Sequence, residues 1–150
     1  MVISNVIVCD VNGEKNADIK IENGIIVEIA HNLKDTEMID AEGAYFMPLL
    51  VDTNVRLQDS TLNSKNIKAI SKEALRGGVG HVVLNADSTP AIDNEIVLEF
   101  AQNGLSYLNG AKIDLMLNTL QEDSSLSNIA ILLKRGAVAP YMSTIAKNNL

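Results

Sequence analysis

Tryptophan is absent from this 150-residue chain, aromatics make up only 3% of it, and cysteine occurs once. A core built from it must therefore be aliphatic. Cys9 alone cannot close an intrachain disulfide; it fits a reducing, cytoplasmic setting and reads as a small buried hydrophobe on a first strand. Positive charge is also scarce. Twelve Lys and Arg stand against nineteen Asp and Glu, a formal net charge of −7. That balance excludes the basic surface with which nonspecific nucleic-acid binders displace counterions. No apolar run approaches the ~18 residues of a membrane span. The opening MVISNVIVCD lacks the basic and long apolar regions of a signal peptide. Neither nucleic acid nor membrane is thus an expected partner. No glycine-rich phosphate loop follows a strand, because Gly77-Gly78-Val79-Gly80 precedes one and reads as a helix stop and turn. No Ser-His-Asp or Cys-His arrangement is present either.

What the chain does have is aliphatic bulk. Its hydrophobic share of 47% is enough for one packed domain, and Ile, Val, Leu and Ala suit buried parallel strands covered by helices. Residues 2–9 read as a β-branched strand, and IKIENGIIVEIA as two strands joined at Asn23-Gly24, a dipeptide that accepts the positive φ of a hairpin turn. MIDAEGAYFMP predicts another short strand pair around Glu42-Gly43. Residues 1–47 are therefore expected to form a small antiparallel, β-sandwich-like unit with too little area to stand alone.

From Pro48 the rhythm changes. LLVDTNV reads as a buried strand opening into a polar mouth. Ile67, Ile70, Ala74 and Leu75 recur at helical spacing before the Gly77-Gly78 stop. HVVLNAD is a second strand and IDNEIVLEFAQNG a helix ending at Gly104. AKIDLMLNTL is a third strand, LSNIAILLKRG a helix capped at Gly136, and AVAPY a fourth strand. This order implies a parallel sheet or barrel with right-handed crossovers. The expected class is α/β: a partial (β/α)8 TIM-type barrel of three to four βα units over residues 48–150, preceded by the N-terminal antiparallel β unit. A full barrel takes ~200 or more residues, so the chain reads as truncated relative to that fold. A complete, open α/β domain is the alternative. The open barrel edge calls for a partner, a homo-oligomer or the missing remainder.

Three stretches taken together resemble the dihydroorotase family of the amidohydrolase superfamily. They are ADIKIENGIIVEIA with MIDAEGAYFMPLLVD, then GGVGHVVLNADSTPAIDN, which resembles GGFTTVVCMPNTNPVIDN, then LLKRGAVA. The resemblance implies a zinc-dependent cyclic amidohydrolase acting on dihydroorotate. In that family the first barrel strand ends in D-x-H-V-H-x-R, with both histidines on one side of the strand and the Arg holding the substrate carboxylate. The matching positions here are Asp52, Asn54, Arg56 and Gln58. An amide is a poor zinc ligand, a guanidinium has no lone pair to donate, and glutamine cannot form the charge-assisted fork with a carboxylate. The family's substrate-binding Asn falls on Asp87, which would repel an anion. Its acidic S-D-D-G stretch falls on Tyr141-Met142-Ser143-Thr144. The two histidines of the chain, His31 and His81, read as surface or packing residues.

These departures predict that no residue is catalytic, that no metal site remains, and that no cofactor is bound. The positions of the degenerate site are Asp52, Asn54, Arg56, Gln58 and Asp87, with Arg56 expected to pair with Asp87 or Asp52. The resemblance implies a non-catalytic dihydroorotase-like protein in pyrimidine biosynthesis, a scaffold or regulator of aspartate transcarbamoylase. Two alternatives stay open. One is an active cyclic amide hydrolase with an altered, metal-free site. The other is a module that binds a pyrimidine intermediate.

Overall fold

Strand formation starts at the first β-branched run. The computed structural model describes residues 1–142. In it β1 (Val2–Asp10), β2 (Gly13–Glu22) and β3 (Ile25–Ala30) form an antiparallel meander. Asn23 and Gly24 turn β2 into β3 with φ of 52° and 76°, the left-handed conformation that this dipeptide accepts at low cost. Val6, Val8, Ala17 and Ile19 are buried on one face of the meander.

Two short strands, β4 (Met38–Asp40) and β5 (Tyr45–Phe46), complete this sheet, and here the structure departs from the reading of a strand pair. The chain does turn at Glu42 and Gly43, with φ of 52° and 82°. Yet β4 and β5 do not pair with each other; both lie parallel to β1. The turn steps around an irregularity in β1 between Ile3 and Val6. The N–H of Ala41 donates to the Ser4 carbonyl (2.9 Å) and that of Gly43 to the Asn5 carbonyl (2.8 Å), so the chain resumes along the same edge. All five strands therefore lie in one sheet, β3-β2-β1-β4 with β5 beside β1. Of the expected sandwich-like unit, the described residues 1–48 form this one sheet. This first unit ends at Pro48.

The second unit, from Leu49 on, alternates strand and helix: β6 (Leu50–Val55), α1 (Ser64–Arg76), β7 (Val79–Leu84), α2 (Glu95–Gly104), β8 (Lys112–Asn118), α3 (Ile129–Lys134) and β9 (Ala139–Tyr141). The strands are parallel, in the order β6-β7-β8-β9. Each helix starts at an asparagine, Asn63, Asn94 or Asn128. Its side chain accepts the N–H of the residue three further on, which satisfies one of the free donors of a helix start. Gly78 and Gly136, with φ of 81° and 105°, let the chain leave α1 and α3.

Alternation along the strands puts Val82, Leu84, Ile113, Leu115 and Leu117 on the side where Ile67 of α1, Leu98 and Ala101 of α2 and Leu132 of α3 are buried. A polar clasp fixes α1 against the start of β8. The buried Ser71 hydroxyl donates to the Ala111 carbonyl (2.8 Å), and the Ala111 N–H donates back to the Ser71 carbonyl (2.8 Å). The approach is so close that a Cβ on Gly110 would collide with the Ser71 carbonyl. The result is a curled parallel sheet with helices on its outer face, a partial (β/α)8 barrel. One strand differs from expectation. β6 reads as a buried strand, but among the described residues it has a neighbour on one side only, and its residues are largely exposed there.

Candidate functional site

Parallel strands with helices on one side concentrate chemistry where the strands end, because the loops there can vary without disturbing the packed layer. At the ends of β6, β7 and β9, Asn54, Arg56, Asn85, Asp87 and Tyr141 are linked by hydrogen bonds and one ion pair. Asn85 is its anchor. It follows the apolar run of β7, is only 2% exposed, and ties its backbone N–H to the Val55 carbonyl of β6 (2.9 Å). Its amide nitrogen donates to Asn54 Oδ1 (3.2 Å), and its Oδ1 accepts the Asp87 N–H (3.1 Å). Asp87 then pairs with Arg56 at 3.6 Å. The other guanidinium nitrogen of Arg56 donates to the Tyr141 hydroxyl (2.9 Å).

The structure thus brings together three of the sequence-derived positions: Asn54, Arg56 and Asp87. Asp52 stands outside the network, its carboxylate accepting the Asn54 N–H (3.1 Å). Gln58 lies past the mouth, lining a shallow concavity with Asp59, Asn66, Ala69 and Ile70 along α1. Of the two candidate partners of Arg56, Asp87 is the one it meets. Asn85 and Tyr141 are the residues that sequence reasoning did not assign to the network. Each is a polar residue directly at the end of an apolar strand run, which is the pattern that could have marked them. Of the stretch Tyr141–Thr144, Ser143 and Thr144 lie outside the described residues.

The chemistry of this set is that of a self-satisfied polar network. The side chains of Arg56 and Asp87 are 58% and 36% exposed, so solvent screens their attraction to roughly 0–1 kcal/mol. The zinc implied by the resemblance does not fit these donors. Asn54 presents an amide oxygen already used by Asn85, and the fixed cation of Arg56 repels a divalent ion. His81 lies nearer the start of β7 and is bound to Asp114 (2.7 Å), whose other oxygen meets Lys112 (3.4 Å). His31 is an exposed residue after β3, in the first unit. Among the described residues no three His, Cys, Asp or Glu side chains converge in a way that could hold a metal ion.

A second concavity, of ≈ 350 Å³, opens at the start of α2 between Pro90, Asp93, Asn94, Gln121, Glu122 and Asp123. Asp93 is 7% exposed. Burial pushes its pKa above the usual aspartate value, against the opposing hydrogen bond from the Asn94 amide (2.7 Å), and the nearby Glu122 and Asp123 push the same way as burial. In the sequence Asp93 falls within the stretch GGVGHVVLNADSTPAIDN, but nothing local marks it as buried.

No protein-family model matches the chain. Individual proteins do. The dihydroorotase of Caldanaerobacter subterraneus subsp. tengcongensis is 33% identical over 146 residues, which are 93% of this chain and 34% of that enzyme. Among solved structures, an L-hydantoinase (dihydropyrimidinase) from Arthrobacter aurescens superposes with a TM-score of 0.67 at 19% identity, over 93% of this chain and 32% of its own. A dihydroorotase structure does so with a TM-score of 0.68 at 17% identity, over 94% of this chain and 41% of its own. At those identities the two structures share the fold. The chain spans about a third of the length of the relatives it matches.

Proposed function

Because the chain belongs to the dihydroorotase family, along about a third of that family's length, we propose that it is a non-catalytic member of it. In this reading it serves pyrimidine biosynthesis as a scaffold or regulator of aspartate transcarbamoylase. The observation that carries the non-catalytic half is the engagement of Arg56. This residue stands where the family strand has its second histidine, and its guanidinium is committed to Asp87 and Tyr141. A permanent positive charge held there cannot give way to a metal ion by losing a proton. Hydrolysis of a cyclic amide by the family's route needs a metal-bound water of lowered pKa with a base beside it. Here the carboxylate nearest the network's centre, Asp87, is neutralised by Arg56, and Asp52 is tied to the neighbouring backbone. The partner half rests on the family resemblance alone.

Two measurements test the reading. With zinc supplied, the purified chain is expected to interconvert dihydroorotate and carbamoyl aspartate no faster than buffer does. The double variant Asn54→His/Arg56→His is expected to stay silent too, since Gln58 and Asp87 remain. Turnover in either protein would overturn the non-catalytic half. For the partner half, the chain is mixed with the aspartate transcarbamoylase of its host and run by size exclusion with light scattering. A joint complex is expected, and separate peaks would remove that partner.

A further inference from the structure

The helices of the second unit present outward faces of opposite charge. Lys65, Lys68, Lys72 and Arg76 are spaced so that they line one exposed stripe of α1. They are four of the twelve Lys and Arg in a chain of net charge −7. α2 carries no Lys or Arg. Its outward face holds Glu95, Ile96 and Glu99, with Ile96 81% exposed. Arg76 pairs with Glu73 of its own helix (3.2 Å). Among the described residues Lys68, Lys72, Glu95 and Glu99 have no ion-pair partner.

The two helices touch where α2 ends and α1 begins. A Cβ on Gly104 would come within 2.9 Å of Ile67 Cδ1 and 3.5 Å of the Ser64 Cα. Both helices run opposite to parallel strands, so α1 extends from this contact in one direction and α2 in the other. At ~1.5 Å per residue, Lys68 and Lys72 stand ~6 and ~12 Å from the contact along α1, and Glu99 and Glu95 stand ~8 and ~14 Å from it along α2. The cations of one helix and the anions of the other therefore lie at matching distances from one point. A twofold axis through that point, perpendicular to the helices, lays α2 of a second copy antiparallel on α1 of the first, and α1 on α2.

We propose that the α1–α2 face is a docking surface for a second copy of this chain, the basic helix of each copy packing on the acidic helix of the other. Lys68 then faces Glu99 of the other copy and Lys72 faces its Glu95, and the twofold axis makes each pair twice. Leu75, 42% exposed toward the end of α1, comes beside Ile96 of the other copy, so each half of the interface also covers an apolar pair. A parallel stack would instead set Ile96 against Lys65 and would not close into a dimer. A partner of another kind would have to supply both an acidic and a basic face at this spacing, which a second copy carries already. The pairing uses only α1 and α2 and needs no strand beyond β8. It lies on the helix side of the sheet, away from Arg56 and Asp87, so it stands or falls separately from catalytic silence and from any heterologous partner.

Light scattering at low ionic strength, over a range of concentrations, is expected to give twice the 16.2 kDa chain mass. The mass should fall toward that of one chain as salt is added, because exposed charge pairs are screened. A monomer at every concentration, or open-ended oligomers, would overturn the proposal. Glu95→Lys/Glu99→Lys leaves both outward faces basic, and Lys68→Glu/Lys72→Glu leaves both largely acidic. Each double variant alone is expected to be a monomer with unchanged far-ultraviolet circular dichroism, and an equimolar mixture of the two is expected to dimerise. Folded variants that dimerise alone, or a mixture that stays monomeric, would sink the geometry. Should either variant fail to fold, chains with Leu75→Cys and chains with Ile96→Cys, both in a Cys9→Ser background, are mixed and treated with a short bismaleimide. Cross-links between the two kinds of chain are expected, and their absence overturns the packing of α1 on α2.

Discussion

On its helix-covered face the parallel sheet buries Val82, Leu84, Ile113, Leu115 and Leu117; on the other face the same two strands and the residue that follows β7 present His81, Asn85, Asp114 and Asn118. The first face is held by area removed from water, which is non-directional and needs only bulk and fit. The second is held by hydrogen bonds among partners that, Asn85 apart, are half-exposed; these need specific atoms at specific distances but return little net energy. The difference teaches that this fold and the chemistry of its mouth are separable. Any polar set that satisfies itself can occupy the strand ends while the helix-covered layer keeps the barrel wall standing.

The largest effect should come from that layer. Leu115→Ala is expected to cost about 2–5 kcal/mol in urea unfolding, from lost transfer energy and an unfilled cavity. A loss below about 1 kcal/mol would mean that the helix-covered face is not the main support. Asn85 is the one place where the mouth reaches into the buried layer. Asn85→Ala leaves Asn54 Oδ1 and the Asp87 N–H without their partner and should cost about 1–3 kcal/mol.

Asp93 should produce a smaller change of opposite sign. Its pKa is raised by burial, so its contribution to stability is full below the ordinary aspartate value and is lost as pH rises through its folded pKa. Asp93→Asn should therefore be more stable than the parent at pH 7, with the gap closing as the solution is acidified below pH ~4. Unfolding midpoints at the two pH values read this directly, and a gap that widens in acid would reverse the assignment. The smallest effect is expected at Arg56. Its pair with Asp87 is exposed, so Arg56→Ala should cost no more than about 1 kcal/mol. A larger loss, shared with Tyr141→Phe in a double-mutant cycle, would mean that the mouth network carries the fold and would collapse the contrast between the two faces.

Much of the architecture is determined by local pattern. The runs HVVL and KIDLML alternate or persist as strands, Ile67, Ile70 and Ala74 sit at helical spacing, and Asn23-Gly24 and Gly77-Gly78 turn the chain where they stand. Each of these is a statement about neighbours in sequence, so the sequence carries it. The donor chemistry of Asn54 and Arg56 and the lack of charge on Gln58 are of the same kind, since they belong to the side chain and not to its surroundings. Tertiary structure alone decided the rest. Glu42-Gly43 turns the chain, but only the irregularity at Asn5 makes β4 and β5 lie parallel to β1. LLVDTNV has the composition of a central strand, but a strand's burial depends on how many neighbours it acquires, and among the described residues β6 has one. Arg56 meets Tyr141 across 85 residues of chain, and burial raises the pKa of Asp93 through walls supplied by distant loops. Pairing partners, edges and desolvation are sums over contacts between segments far apart in sequence, and those sums exist only once the chain has folded.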